Sequence, residues 1–293
     1  MLVPALALAA ALALTGCVNN SPDDSSNKED ISSGVTVDKA AAALLPEDIA
    51  KAGVLTIGID PTYPPNEYKD DAGNPIGWDV DLANAIAAKL GVKTDYQIAS
   101  FSNIIPSIVG GKQNLGVSSF TDNAEREEQV DFVNYYQAGI LWASAKGNDV
   151  DPDDACGLKV AVQSGTYQDT DELPAKSEAC VAAGKKAIDI VKFDTQDAAT
   201  NAVVLGQVDA MSADSPVTAA AIKATDGKLQ AAGATFDVAP YGIVVAKGSP
   251  LAKAIQAALQ SLIDDGTYLK ILNNAGVADG AITKATINAG ANG

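Results

Sequence analysis

One guanidinium stands in this chain of 293 residues: Arg126, closing the segment Ser118-Ser-Phe-Thr-Asp-Asn-Ala-Glu-Arg126, whereas every other member of its twenty lysines and arginines is lysine. A planar fork of N–H donors meets a carboxylate through two parallel bonds, which an ammonium cannot do. The competing reading is a surface ion pair with Glu125 or Glu127, worth under about 1 kcal/mol. Two acids stand at element boundaries: Asp60 follows an apolar run, and Asp214 opens a helical stretch, where it can act as an N-cap. Tyr63 and Phe101 are either cavity walls or ordinary core. The chain has no histidine, which removes the commonest general base and metal ligand. With three cysteines no zinc cluster remains, so no catalytic residue, cofactor or metal is expected.

The elements that would position these residues alternate. Val54–Ile59 reads as a strand running into the turn-rich Asp60-Pro-Thr-Tyr-Pro-Pro65. Ala83, Ile86, Ala87 and Leu90 share one helical face, which Gly91 ends. Val92–Ala99 is a strand, Ser102–Gly110 a short helix with Ser102 as cap, and Leu115–Ser119 a strand. The rhythm restarts after Gly157, with strands at Leu158–Gln163, Ile188–Phe193 and Val208–Ala213, and helices at Thr195–Gln207 and Asp214–Thr225. A strand over Tyr241–Lys247 follows, then a helix carrying Leu251, Ile255, Leu259 and Leu262 to Gly266. Repeated βαβ units indicate an open α/β sheet in two lobes, with Tyr136–Ala143 and Ala239–Val245 as the connecting segments.

Composition narrows the function. A net charge of −17 argues against nucleic acid and against docking on anionic lipid. The apolar run Leu2–Leu14 is too short to span a bilayer and suits a signal-peptide core. It ends in Leu14-Thr-Gly-Cys17, which resembles a bacterial lipobox, although no Lys or Arg precedes it. That resemblance implies a signal peptide over 1–16, a lipidated Cys17 as membrane anchor, and an extracytoplasmic location. The polar stretch 17–46 then reads as a flexible tether, and about 30 residues of such chain reach roughly 30 Å. In an oxidising compartment Cys156 and Cys180 tend to pair, worth about 3–4 kcal/mol on the chain-entropy account; two free buried thiols are the alternative.

Taken in order, "GIDPTYPP", "GWDVDLANAIAAKLG", "FSNIIPSIVGGK", "SSFTDNAER", "VAVQSGTYQ", "GQVDAMSADSP" and "PYGIVVAKGSP" resemble the polar amino-acid branch of bacterial solute-binding proteins, the receptors of ABC importers. The resemblance implies a type II periplasmic-binding-protein-like α/β fold, each lobe a mixed sheet flanked by helices, joined by two crossover strands. It implies lobe one over 47–138 and 243–293, the latter including the C-terminal tail, and lobe two over 139–242. It puts Arg126, Ser119, Thr121 and Thr166 on the ligand's carboxylate, with Ser118 beside them. Asp214 matches the partner of the α-ammonium; Asp60, Tyr63, Phe101 and Gln168 match the side-chain pocket. A basic or amide L-amino acid is the implied ligand, a permease the implied partner, and a monomer the expected state. Asn66 departs from the family's usual aromatic, and Asn114 from its usual acid. The rival reading is a dehydratase of prephenate-like acids on the same fold, for which Glu67, Asp60 and Asp214 are the available acids.

Overall fold

The computed structural model describes residues 34–290, so the apolar leader, Cys17 and the first half of the expected tether lie outside the described residues. The second half of that tether is folded, which corrects its boundary at residue 46. Asp38 caps α1 (Lys39–Ala42) by accepting from the N–H groups of Ala40 and Ala41 at 2.9 and 3.1 Å. Val35, Ala41 and Leu45 bury their side chains against the core of the first lobe. The polar residues upstream hid these three apolar anchors.

After α2 (Glu47–Ala52), strand β1 (Val54–Ile59) leads into a small antiparallel sheet of β2 (Thr62–Tyr63), β3 (Glu67–Lys69) and β4 (Pro75–Ile76). Then come α3 (Trp78–Leu90), β5 (Lys93–Ile98), α4 (Phe101–Val109), β6 (Leu115–Thr121), the single-turn α5 (Ala124–Glu127) and β7 (Val130–Ala145). Further on lie β8 (Lys159–Gln163), a π-helical turn over Gln168–Glu172, α6 (Leu173–Ala182), β9 (Asp189–Phe193), α7 (Gln196–Val204), β10 (Ala210–Asp214) and α8 (Ser215–Ala224). The chain closes with β11 (Leu229–Ala246), α9 (Leu251–Asp264), α10 (Thr267–Ala275) and β12 (Thr286–Ile287). No helix among the described residues is long and apolar enough to cross a membrane.

The main sheet runs β5-β1-β6-β11-β7-β10-β8-β9, with β12 against β7. Its two ends are parallel: β5, β1 and β6 in lobe one, β10, β8 and β9 in lobe two. The two connecting segments are not separate elements. The first lies within β7 and the second at the C-terminal part of β11, strands of 16 and 18 residues that pair antiparallel through both lobes; Tyr241, Gly242, Val244 and Val245 already pair with β6 of lobe one, so β11 crosses earlier than expected, before Ala239. Their register slips between Ala232 and Phe236 and again before Ala239, so the pairing is least regular where the chains pass from lobe to lobe.

Helices α3, α9 and α10 cover one face of lobe one. Ala83, Ile86, Ala87 and Leu90 of α3, and Leu251, Ile255, Leu259 and Leu262 of α9, are all buried, as their 3.6-residue spacing requires. Phe101, Ile104 and Ile108 of α4 cover the opposite face against Phe120, Phe132 and Val244. Lobe two splits into two smaller clusters because neighbouring residues on β8 point to opposite faces, Val160 and Val162 to one and Ala161 to the other. Cys156 and Cys180 form a disulfide that ties α6 to the segment before β8.

Candidate functional site

The parallel strands of both lobes end at the same crevice. β1 delivers Asp60, β6 delivers Ser118 to Thr121, β8 delivers Gln163, and β10 delivers Asp214, each at a carboxyl end, where open α/β sheets bind ligands. A cavity lined by residues of both lobes lies there. Asp60, Tyr63, Phe101, Ser118, Ser119, Thr121, Thr166, Gln168 and Asp214 all face it, so nine of the ten residues expected from sequence converge on one space.

Arg126 is the tenth. It does not line the cavity but closes its edge. Asn123 caps α5 by accepting the Arg126 N–H at 2.9 Å, which turns the side chain back toward the crevice. Nη1 donates to the Thr121 carbonyl at 2.7 Å, and Nη2 donates across the lobes to the Gly165 carbonyl at 3.0 Å. The guanidinium lies 5.8 Å from the centre of the Phe101 ring, which itself stacks on Phe120. Two of its five N–H groups are thereby used, leaving donors for an acid. None of the salt bridges of the described residues joins it to Glu125. Burial lowers its pKa from the usual value, opposed by the charges of Asp171 and Asp214.

Gly165 makes this approach possible. Its φ is +82°, and a Cβ there would sit 3.0 Å from the Cβ of Ser102 in the other lobe. A side chain would strain the turn and push the lobes apart. Thr166 next to it donates its hydroxyl to the Gln163 carbonyl at 2.8 Å and precedes the π-helical turn that carries Gln168.

Asp214 is an N-cap by position only. Its side chain makes no capping bond to α8; it accepts from Gln168 Nε2 at 2.7 Å, Tyr241 Oη at 2.7 Å and Tyr63 Oη at 3.0 Å. The Tyr63 bond crosses between lobes. Burial raises the Asp214 pKa, and these three donors act against that rise.

Asp60 makes the cap that Ser102 was expected to make. The helix starts one residue earlier, at Phe101, because the Phe101 N–H donates to Asp60 Oδ2 at 2.9 Å. The same carboxylate accepts from Thr62 Oγ1 at 3.0 Å and, across the lobes, from Gln163 Nε2 at 3.0 Å. Burial raises its pKa, and the Phe101 N–H, Thr62, Gln163 and the charge of Lys69 oppose the rise.

Ser119 adopts φ of +53°, a left-handed conformation that costs a non-glycine residue of order 1 kcal/mol or more. The turn aims its N–H at Asp79 Oδ2 at 3.2 Å, and its hydroxyl accepts from Asn66 Nδ2 at 2.9 Å. Asn66 in turn holds the Trp78 indole N–H at 2.8 Å, so the residue that departs from the family's aromatic forms a buried polar link behind the wall. Asn114, the other departure, fastens its turn to Thr56 of β1 and lies away from the crevice.

Residues 55–276 match the family described as bacterial extracellular solute-binding proteins, family 3. The chain belongs to that family. An arginine-binding protein of Corynebacterium glutamicum is 42% identical over 248 residues, covering 84% of this chain and 82% of the relative. The solved structure of an ancestral arginine-binding protein bound to arginine superposes with a TM-score of 0.70 at 36% identity, covering 76% of this chain and 97% of that one. An ancestral amino-acid-binding protein described as a precursor of cyclohexadienyl dehydratase superposes at 0.68 and 32% identity, covering 79% and 98%. The family is one of binding proteins, it is extracellular, and its fold is the two-lobed α/β architecture expected from sequence.

Three cavity residues of this solute-binding protein were not read as ligand contacts from sequence: Glu67, Gln163 and Tyr167. Gln163 was legible in principle, because it ends a parallel strand at the crevice. Glu67 sits on a three-residue strand with no period to read, and it stood out only as an acid that an enzyme could use.

Proposed function

We propose that this protein captures a basic L-amino acid, arginine foremost, between its lobes and delivers it to the permease of an ABC importer. The observation that carries this is charge: Asp60, Glu67 and Asp214 face a cavity edged by one guanidinium. Such a site suits a molecule with one carboxylate and two cationic groups, since buried charges need matched partners. In this reading Arg126 grips the carboxylate, helped by Ser118, Ser119, Thr121 and Thr166. Asp214 takes the α-ammonium, Tyr63 and Phe101 flank the aliphatic stem, and Asp60 with Gln168 meets the terminal guanidinium. A ligand bonded to both lobes stabilises their closed arrangement, with lobe two moving against lobe one about the irregular stretches of β7 and β11. The name of the Corynebacterium relative supports arginine over amide ligands. The dehydratase reading finds the same three acids in the cavity, but no histidine to work with them.

Calorimetric titration with arginine, lysine, glutamine and glutamate tests the assignment. Arginine is expected to bind most tightly and glutamate least, because a second carboxylate would face Asp60. Arg126→Ala should weaken arginine by at least a hundredfold, since it strands a buried carboxylate. Failure of every polar amino acid to bind, or unchanged binding in the variant, would sink the assignment.

We further infer that the mature chain is a monomer held at the membrane by lipid on Cys17. A tether of about twenty residues then separates that anchor from the folded body. Intact mass of the protein purified from membranes should show cleavage before Cys17 and an added diacylglyceryl group; an unmodified Cys17 would refute the anchor.

A further inference from the structure

Glu67 and Asp79 are two fully buried carboxyls lying against each other behind Ser119. Glu67 reaches the cavity wall, whereas Asp79, on α3, stands behind it. Their donors are few. Ser118 Oγ lies 3.2 Å from Glu67 Oε1, and Asp79 Oδ2 has Tyr135 Oη at 2.8 Å and the Ser119 N–H at 3.2 Å. Ser119 Oγ lies 3.1 Å from Glu67 Oε2 and 3.3 Å from Asp79 Oδ2, but one hydroxyl proton serves only one of them. Asp79 Oδ1 is buried with no donor from the protein.

Tyr63 faces the pair from β2, Asn66 from the turn before β3, Tyr96 from β5, Ser118 and Ser119 from β6, and Tyr135 and Tyr136 from β7. Beyond them stand Asp60, whose N–H bonds Ser118 Oγ, and Asp214, bonded to Tyr63. No cation is among the principal groups acting on either carboxyl. Lys69, also on β3, acts on Asp60. Arg126 is held at Thr121 and Gly165. Two like charges buried together without a counter-ion cannot both ionise, so one proton stays on the pair.

We propose that Glu67 and Asp79 form a one-proton wall that reads the charge of the ligand: a cationic side chain beside Glu67 displaces the proton to solvent, and a neutral side chain leaves it in place. The exchange balances, since one positive charge enters the wall as the other leaves. Burial, and after it the charge of Asp79, hold the Glu67 carboxyl well above its ordinary range, while burial pushes Asp79 up to about 6. The two carboxyls therefore titrate as a coupled pair. Because binding releases a proton, affinity for a cationic ligand rises with pH, by at most tenfold per pH unit, until the unliganded pair has lost the proton itself.

This inference rests on the reading of the cavity as an amino-acid site, and the test separates the two. Arginine and glutamine are titrated into the full mature chain by calorimetry from pH 5 to 9, in phosphate and in Tris, whose ionisation enthalpies differ. Expected is release of up to one proton with arginine, none with glutamine at saturation, and loss of the arginine release in Glu67→Gln. Arginine binding without proton release, or equal release with glutamine, overturns the one-proton wall while leaving the amino-acid site standing. Equal release from Glu67→Gln overturns it also. Binding of neither ligand overturns both. Should Glu67→Gln fail to fold, the contrast between the two ligands on the unaltered chain still decides.

Discussion

The two lobes solve the same packing problem with different means. Lobe one buries a continuous cluster running from Leu55 and Ile57 through α3, α9 and α10, with Trp78, Tyr135, Tyr136, Tyr241 and Tyr268 inside it. Lobe two has two thin clusters, one on each face of its sheet, and the second is built largely from Ala143, Ala161, Ala199 and Ala202. An alanine side chain removes little apolar surface from water, and burial stabilises at about 25 cal/mol per Å². Lobe two compensates with a covalent tie, Cys156–Cys180, and with a buried polar one, Glu172, which holds Trp142 and Ser212. Lobe two is thus stapled, while lobe one, with no disulfide among its described residues, relies on its larger apolar core and buried hydrogen bonds.

Removing the staple is the strongest way to break that symmetry of outcome. The bond closes a loop of 24 residues in sequence separation. The chain-entropy account gives about 3.5 kcal/mol for such a loop. The double replacement Cys156→Ser and Cys180→Ser is expected to lower stability by roughly that amount. Lobe two should then open first, because α6 and the segment before β8 lose their only covalent link. Hydrogen exchange read by mass spectrometry should show faster exchange over 150–190 and little change in α3 or α9. Uniform loss across both lobes, or none, would mean that the two halves do not differ as their cores suggest.

How far each lobe could be read from sequence follows the same division. In lobe one, α9 was legible because Leu251, Ile255, Leu259 and Leu262 repeat at helical spacing and all face a thick core. Arg126 was legible because it is chemically alone. The site's second layer was not. Asn66, Glu67 and Asp79 lie 1 and 12 residues apart in sequence, on a turn, a three-residue strand and a helix start, and they are gathered around Ser119, which bonds all three. Strands of two or three residues carry no period, so β2, β3 and β4 escape pattern reading. The start of α4 escaped by one residue, because serines flank Phe101 on both sides and the choice falls to Asp60, 41 positions away. In lobe two the strands were legible, but the extent of α6 was not, since its apolar residues are few and its packing depends on the disulfide.

The smaller test compares how each lobe buries acid. In lobe one two buried carboxyls lie against each other, whereas Glu172 of lobe two is buried with a tryptophan and a serine as its hydrogen-bond partners. Glu172 accepts from Trp142 Nε1 at 3.1 Å and from Ser212 Oγ at 2.9 Å. Burial nevertheless pushes its pKa up to about 7, opposed by Ser212, the charge of Lys176 and Trp142. A carboxyl whose folded value lies above its unfolded value of 4.5 binds its proton more tightly in the native state. Its contribution to stability is therefore complete below about pH 4.5 and is lost as pH rises through about 7. At about 1.4 kcal/mol per pH unit, that interval sets an upper bound near 3 kcal/mol, and about 2 is expected once the retained hydrogen bonds are counted. Glu172→Gln keeps an acceptor for Trp142 and removes the titration. The variant should match the parent near pH 4.5 and exceed it by about 2 kcal/mol at pH 8. Urea denaturation of both proteins at the two pH values reads the difference directly, since all other acids titrate alike in both chains. A constant offset between the two proteins would show that lobe two carries Glu172 as an ordinary solvated acid, and the contrast with the paired carboxyls of lobe one would fall.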